Sequence, residues 1–240
     1  MAASAHPLRF AGRNSAAAPP RHSILVRVTH WITTLSFFGL LISGIAILIS
    51  HPRLYWGETG NWRTPSLIDL PLPFILGQNG WARYLHFLSG WACVLTGLVY
   101  VSSSLLNRHL RDELWPAQSD LTSGNLVRHL SLRKPDRQTV GSYNALQRLT
   151  YLAVIFVLFP LAIWTGLAMS PAVTSVLPVI VTFWGGQQSA RTVHFIVSVA
   201  LVLFFILHIL KVWAAGFISR TRAMTVGEDV AEGASEEAKT

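Results

Sequence analysis

Four long, predominantly apolar stretches divide the chain, at about residues 28–50, 82–106, 149–170 and 192–215. A bilayer hydrocarbon core about 30 Å thick takes roughly 20 apolar residues of helix. Each stretch therefore predicts a transmembrane helix. Pro160 falls inside the third and predicts a kink there, which membrane helices tolerate when neighbouring groups satisfy the freed carbonyl. The segments between are polar or broken by Pro and Gly. The first connection, residues 51–81, is long and Trp-rich, and Tyr55, Trp56, Trp62 and Trp81 read as an interfacial aromatic belt. Residues 1–22 are Ala, Pro, Ser and Arg without an apolar core, unlike a cleavable signal peptide. Residues 221–240 end in an acidic run that includes Glu228, Asp229, Glu232, Glu236 and Glu237. Both termini read as disordered tails around one membrane domain over 23–220. The expected fold is an all-α membrane protein, a bundle of four transmembrane helices.

Composition supports the lipid-facing reading. Of 240 residues, 51% are hydrophobic and only 12% charged, with a mean hydropathy of +0.43. Soluble domains carry about 25% charged residues. The net charge of +8 calls for no nucleic-acid partner, because the basic residues are unevenly placed about the spans. Arg9, Arg13, Arg21 and Arg27 precede the first span, and Arg108, Arg111, Arg128, Arg133, Lys134, Arg137 and Arg148 fill the second connection. Lys211, Arg220 and Arg222 lie at and after the end of the fourth span. The first connection has only Arg53 and Arg63 before Arg83, and the third has none before Arg191. The excess of Lys and Arg on cytoplasmic segments puts both termini and the second connection inside the cell. The expected location is the bacterial cytoplasmic (inner) membrane, with membrane lipid around all four spans.

The single cysteine, Cys93, excludes intramolecular disulfides, a Cys-rich iron–sulfur site and a C-x-x-C-H haem attachment. Any cofactor must be held by other side chains, and nine histidines are present. His6, His22, His51, His109 and His129 fall in tails or connections; His30, His86, His194 and His208 lie within spans. Span direction pairs them by depth: His86 with His194 near the outer surface, His30 with His208 near the cytoplasmic one. His194 and His208 are 14 residues apart, a rise of about 21 Å. Fourteen steps of about 100° fall some 40° short of four turns, so both rings point to one helix face.

A lone intramembrane histidine is ordinarily a hydrogen-bonded interior residue or part of a proton relay. Two depth-matched pairs favour metal ligation, since neutral imidazole is a common transition-metal ligand. Zinc fits poorly: each depth offers two histidines and the spans contain no Asp or Glu to complete a tetrahedron. Two imidazoles capping an iron on both faces suit haem, leaving it an electron carrier with no open position. Gly39, Gly44, Gly90 and Gly97 remove bulk from the first two spans, as a flat macrocycle between helices requires. Arg83 and Arg191 each precede an outer histidine by three residues and are placed to meet anionic haem propionates; interfacial snorkelling is the alternative.

Arg27-Val28-Thr29-His30-Trp31, His86 early in the second span, and His194-x13-His208 in the fourth resemble the bacterial cytochrome b561 family. That family includes the cytochrome b subunits of nickel hydrogenases and formate dehydrogenases and those paired with molybdopterin oxidoreductases. The resemblance covers about residues 21–220. It implies a bundle enclosing two haem b groups, with His30, His86, His194 and His208 as iron ligands. It also implies exchange with membrane quinone and a periplasmic molybdenum or nickel oxidoreductase subunit as partner. Tyr143-Asn144-Ala145-x-Gln147 is similar to the segment lining the quinone pocket of formate dehydrogenase subunits, which makes Asn144 and Gln147 quinone contacts; helix capping by Asn144 and a solvated Gln147 are the alternatives. At Leu146 the chain departs from that segment, where a glycine is expected. The expected function is electron transfer between quinone and a partner in a respiratory chain, as a subunit of an oxidoreductase complex rather than a stand-alone enzyme. The competing classes are a redox-silent membrane anchor and a small transporter with packing histidines. A transporter would need polar residues along a path and often an inverted repeat, and neither is evident in the spans.

Overall fold

Ser23 starts the first helix by accepting the Val26 amide on its hydroxyl at 3.3 Å, which satisfies one of the N–H groups a helix start leaves unpaired. The structure, a computed structural model, describes residues 23–61, 63–71, 80–106 and 145–227. In it α1 spans Ile24–Ser50 and α2 spans Gly80–Leu106. The third span is α3 (Ala145–Ala153), a π-helical turn (Val154–Leu158) and α4 (Phe159–Ala168). Two short helices, α5 (Pro171–Thr174) and α6 (Val179–Thr182), lead to α7 (Gln187–Ala214), and α8 (Phe217–Thr225) follows. The four expected spans are all present, each long and apolar enough to cross a bilayer.

Side chains distribute as a lipid solvent dictates. Leu35, Leu88, Leu98 and Leu203 are more than half exposed, whereas the buried positions of α1 and α2 are Thr29, Ser36, Ser43, Ala46, Ala82, Ser89, Cys93 and Ser104. Small residues let two membrane helices approach closely, and dispersion then holds them. Gly39 belongs to this contact: a Cβ there would run into the Ser89 side chain. It serves the α1–α2 crossing, not space for a macrocycle as expected. Close backbone packing occurs between α1 and α2 and between α4 and α7. Where the two pairs meet, Phe37 of α1 packs against Val154, Val197 and Leu201.

The kink expected at Pro160 takes the form of the π-helical turn that precedes it. Proline has no N–H and its ring clashes with the carbonyl four residues back, here that of Phe156. Phe156 lies inside the widened turn, where the helical ladder is relaxed.

The first connection carries an element the hydropathy pattern does not predict. β1 (Arg53–Leu54) pairs antiparallel with β2 (Ile68–Asp69), and Arg53 meets its cross-strand partner Asp69 at 3.1 Å. Leu54 and Tyr55 are buried, so Tyr55 is not part of the expected aromatic belt. Trp56 and Trp81 are exposed as a belt requires, and Trp62 lies outside the described residues. At the opposite end, α8 runs through Thr225, past the tail boundary drawn at 220, and docks on the start of α1. Arg27 donates to the Thr225 carbonyl at 3.0 Å and Trp31 to that of Met224 at 3.1 Å. These carbonyls end α8, where helices leave acceptors unpaired and favour a cation.

Candidate functional site

The four histidines sit at equivalent depths. His30 is six residues inside the start of α1 and His86 six inside the start of α2. His194 is seven inside the start of α7, and His208 six before its end. At 1.5 Å per residue each ring lies about 9–10 Å inside its helix terminus. The fold brings them together as the span directions require. The ring centres of His86 and His194 are 6.2 Å apart and those of His30 and His208 6.4 Å apart, with planes inclined at 64° and 50°.

These separations test whether a metal fits. An imidazole nitrogen lies about 2 Å from a bound first-row metal and its ring centre about 1.1 Å further, so two rings capping one ion have centres about 6.3 Å apart. Both pairs meet that value. Each histidine pair joins one ring from the α1–α2 pair to one from α7. A Cβ on Gly44 would lie 3.6 Å from Cε1 of His86, and one on Gly166 would lie 3.5 Å from Cε1 of His194. Each of these rings therefore rests against a bare stretch of the neighbouring helix.

The same two helix turns hold the rings by hydrogen bonds. Ser43 Oγ is 3.0 Å from His86 Nδ1, and Thr165 Oγ1 is 2.9 Å from His194 Nδ1. Both hydroxyls are fully buried. In the other pair, His208 stacks on Phe204 at 6.0 Å and His30 meets Trp31 edge-on at 5.4 Å. Between the two levels Phe37 and Phe205 stack at 4.9 Å, which fills the middle of the bundle with apolar rings.

Arg191 donates to the His51 carbonyl, a partner not expected for it, and Arg83 is exposed at the start of α2. Both lie close enough to His51 to matter. Its imidazole is held below the ordinary histidine value, first by partial burial and then by the positive field of Arg191, with Arg83 adding to it. This end of the bundle thus gathers two guanidinium groups beside His51. Buried Arg27 Nε, near the His30 end, and Trp184 Nε1, in the connection before α7, are donors with no acceptor among the described residues. Anionic substituents at the rim of a bound group would satisfy such donors. Asn144 lies outside the described residues, and Gln147 is described only as a position on α3.

Ser43, Thr165 and Gly166 are the residues that sequence reasoning missed. Their signal is a hydroxyl followed by glycine, Ser43-Gly44 and Thr165-Gly166, in two spans that carry no histidine at that depth.

A four-span membrane protein whose interior holds two stacked imidazole pairs in an otherwise apolar bundle is, by class, a membrane cytochrome. Residues 21–227 match the model of the prokaryotic cytochrome b561 family. The chain belongs to that family and is a membrane haem-b electron-transfer protein. It is 29% identical, over 199 residues covering 80% of this chain and 89% of the relative, to the putative protein-methionine-sulfoxide reductase subunit YedZ1 of Azospira oryzae. No solved structure matches it.

Proposed function

We propose that the chain holds two haem b groups, one between His86 and His194 and one between His30 and His208, and conducts electrons between membrane quinone and a partner oxidoreductase in a respiratory chain. The observation that carries this reading is the pair spacing of 6.2 and 6.4 Å at the two ends of α7. Haem, when bound, supplies a one-electron iron couple. The chain's own residues do the rest. The paired imidazoles of His86 with His194 and of His30 with His208 would hold the iron and leave oxygen and substrate no place on it. Phe37, Phe204 and Phe205 keep the space between the two levels dry, and the backbone rise between His194 and His208 sets the separation at about 21 Å. Arg83 and Arg191 would hold propionates at the outer site.

The Lys and Arg bias supports an orientation with the His30 end and both termini cytoplasmic, in the bacterial inner membrane. The partner is then a periplasmic molybdenum oxidoreductase. The reductase-subunit name of the Azospira oryzae relative and the family resemblance both support that class. Quinone contacts fall to Asn144 and Gln147, on the resemblance of their segment.

Purified protein should carry two b-type haems per chain by pyridine haemochrome assay, both reducible by dithionite. His208→Ala should retain one, the site between His86 and His194. Absence of a reducible b-type band refutes the cytochrome reading, and retention of both haems in His208→Ala refutes the pairing.

A further inference from the structure

Ser43 and Thr165 occupy matching places in the two helix pairs, and their hydrogen bonds bear on which ring nitrogen would be free to bind a metal. Each hydroxyl carries one proton. Ser43 Oγ lies 2.6 Å from the Gly39 carbonyl and 3.2 Å from that of Leu40; Thr165 Oγ1 lies 2.6 Å from the Leu161 carbonyl and 3.2 Å from that of Ala162. Carbonyls only accept, so the hydroxyl protons are committed to them. At 3.0 and 2.9 Å from the ring nitrogens, the hydroxyl oxygens can then only accept. Nδ1 of His86 and of His194 must carry the ring proton, and each Nε2 is left with its lone pair.

We infer that Ser43 and Thr165 are paired positioning residues, which lock the Nδ1–H tautomer and ring orientation of His86 and His194 and set the redox potential of the site between them. The inference rests on the proposed ligation by these histidines and goes beyond it. Hydroxyls that back-bond to a helix carbonyl are common in membrane helices, and Ser198, 2.7 Å from the His194 carbonyl, does only that among the described contacts. Ser43 and Thr165 are distinguished by the second contact, to a ring nitrogen, and by the glycine that follows each. The glycine admits the ring edge, and the hydroxyl holds the ring N–H together with a carbonyl of the same helix turn, Leu40 for His86 and Ala162 for His194. An acceptor on the distal N–H raises the basicity of a ligating imidazole. A more basic ligand favours ferric over ferrous iron, so the two hydroxyls keep this site's potential low.

The test is a redox titration of the purified holoprotein, with low-spin ferric EPR to report ring orientation. A His208→Ala background leaves only the haem between His86 and His194, so its potential is read alone. Ser43→Ala and Thr165→Val should each shift the ferric-to-ferrous equilibrium three- to tenfold toward ferrous, a rise of up to about 59 mV per hydroxyl. Both should also move the EPR line. Thr165→Ser should restore the parent values, and Ser198→Ala should leave them unchanged. Parent protein without two b-type haems overturns the ligation reading. Parent protein with two haems, but Ser43→Ala and Thr165→Val whose potential does not rise, overturns this inference alone. An equal rise in Ser198→Ala overturns it as well.

Discussion

The hydroxyl of Thr192 ties the first connection to the helix that carries His194 and His208, and its removal should loosen that tie measurably. Thr192 is fully buried and donates to the Tyr55 carbonyl at 2.7 Å; Tyr55 is itself buried. Around this bond the Gly57 amide donates to Ser189 Oγ at 2.7 Å, and the amides of Gln188 and Ser189 donate to the Gly57 carbonyl at 3.0 and 3.3 Å. The first turn of α7 is thus capped by the connection, not by a side chain of its own. Gly186, with φ at +126°, makes the approach possible, because a Cβ there would collide with the Gly57 backbone. Thr192→Val keeps the shape and deletes the donor. It leaves a buried carbonyl unpaired, at a cost of about 1–3 kcal/mol. That cost is a factor of roughly 5 to 150 in the equilibrium for local opening. Hydrogen exchange read by mass spectrometry over residues 53–57 and 187–192 should accelerate by a factor in that range, while the middle of α7 keeps its protection. Thr192→Ser should exchange like the parent protein. Adding Ser189→Ala to Thr192→Val should cost less than the two changes summed, because both act on one clamp. Parent-like exchange in Thr192→Val, or equally fast exchange in Thr192→Ser, would refute the clamp.

Two further predictions concern the ring cradles and the docking of α8. Gly44→Ala and Gly166→Ala should be tolerated, since the added Cβ meets the ring at ordinary van der Waals distance. Gly44→Leu and Gly166→Leu should displace the His86 or His194 ring and lose haem from that site alone, counted by pyridine haemochrome. Arg27→Gln or Trp31→Phe removes a donor to the last carbonyls of α8 and should weaken its docking by about 1–3 kcal/mol. Limited proteolysis within 217–227 should then be faster than in the parent protein.

The spans were legible because bilayer thickness imposes a length that few other structures demand, and each of the four helices meets it. The histidine pairs were legible because an imidazole inside an apolar span is costly unless it has a partner, and a 14-residue interval returns to the same helix face. The remainder depends on contacts between spans. Ser43 and Thr165 read along the chain as small residues at a helix crossing, which describes Ser36 and Ser89 as well. The following glycine sets Ser43 apart from Ser36 but not from Ser89, which precedes Gly90; depth separates the roles. Ser43 lies seven residues before the end of α1 and His86 six after the start of α2, so antiparallel packing brings them level. The burial of Tyr55 was hidden for a different reason. Its carbonyl is held by Thr192, 137 residues further along, and Trp-rich loops at a membrane surface ordinarily lie in the interface. Gly39 and Gly44 show the same limit within one helix. Both are glycines on α1, but one faces Ser89 and sets how close α2 can come, while the other faces a ring and makes room for it. A glycine in a membrane helix therefore takes its role from what stands at its depth on the next span. For Gly44 and Gly166 that neighbour is a histidine, and the hydroxyl one residue earlier is what holds it.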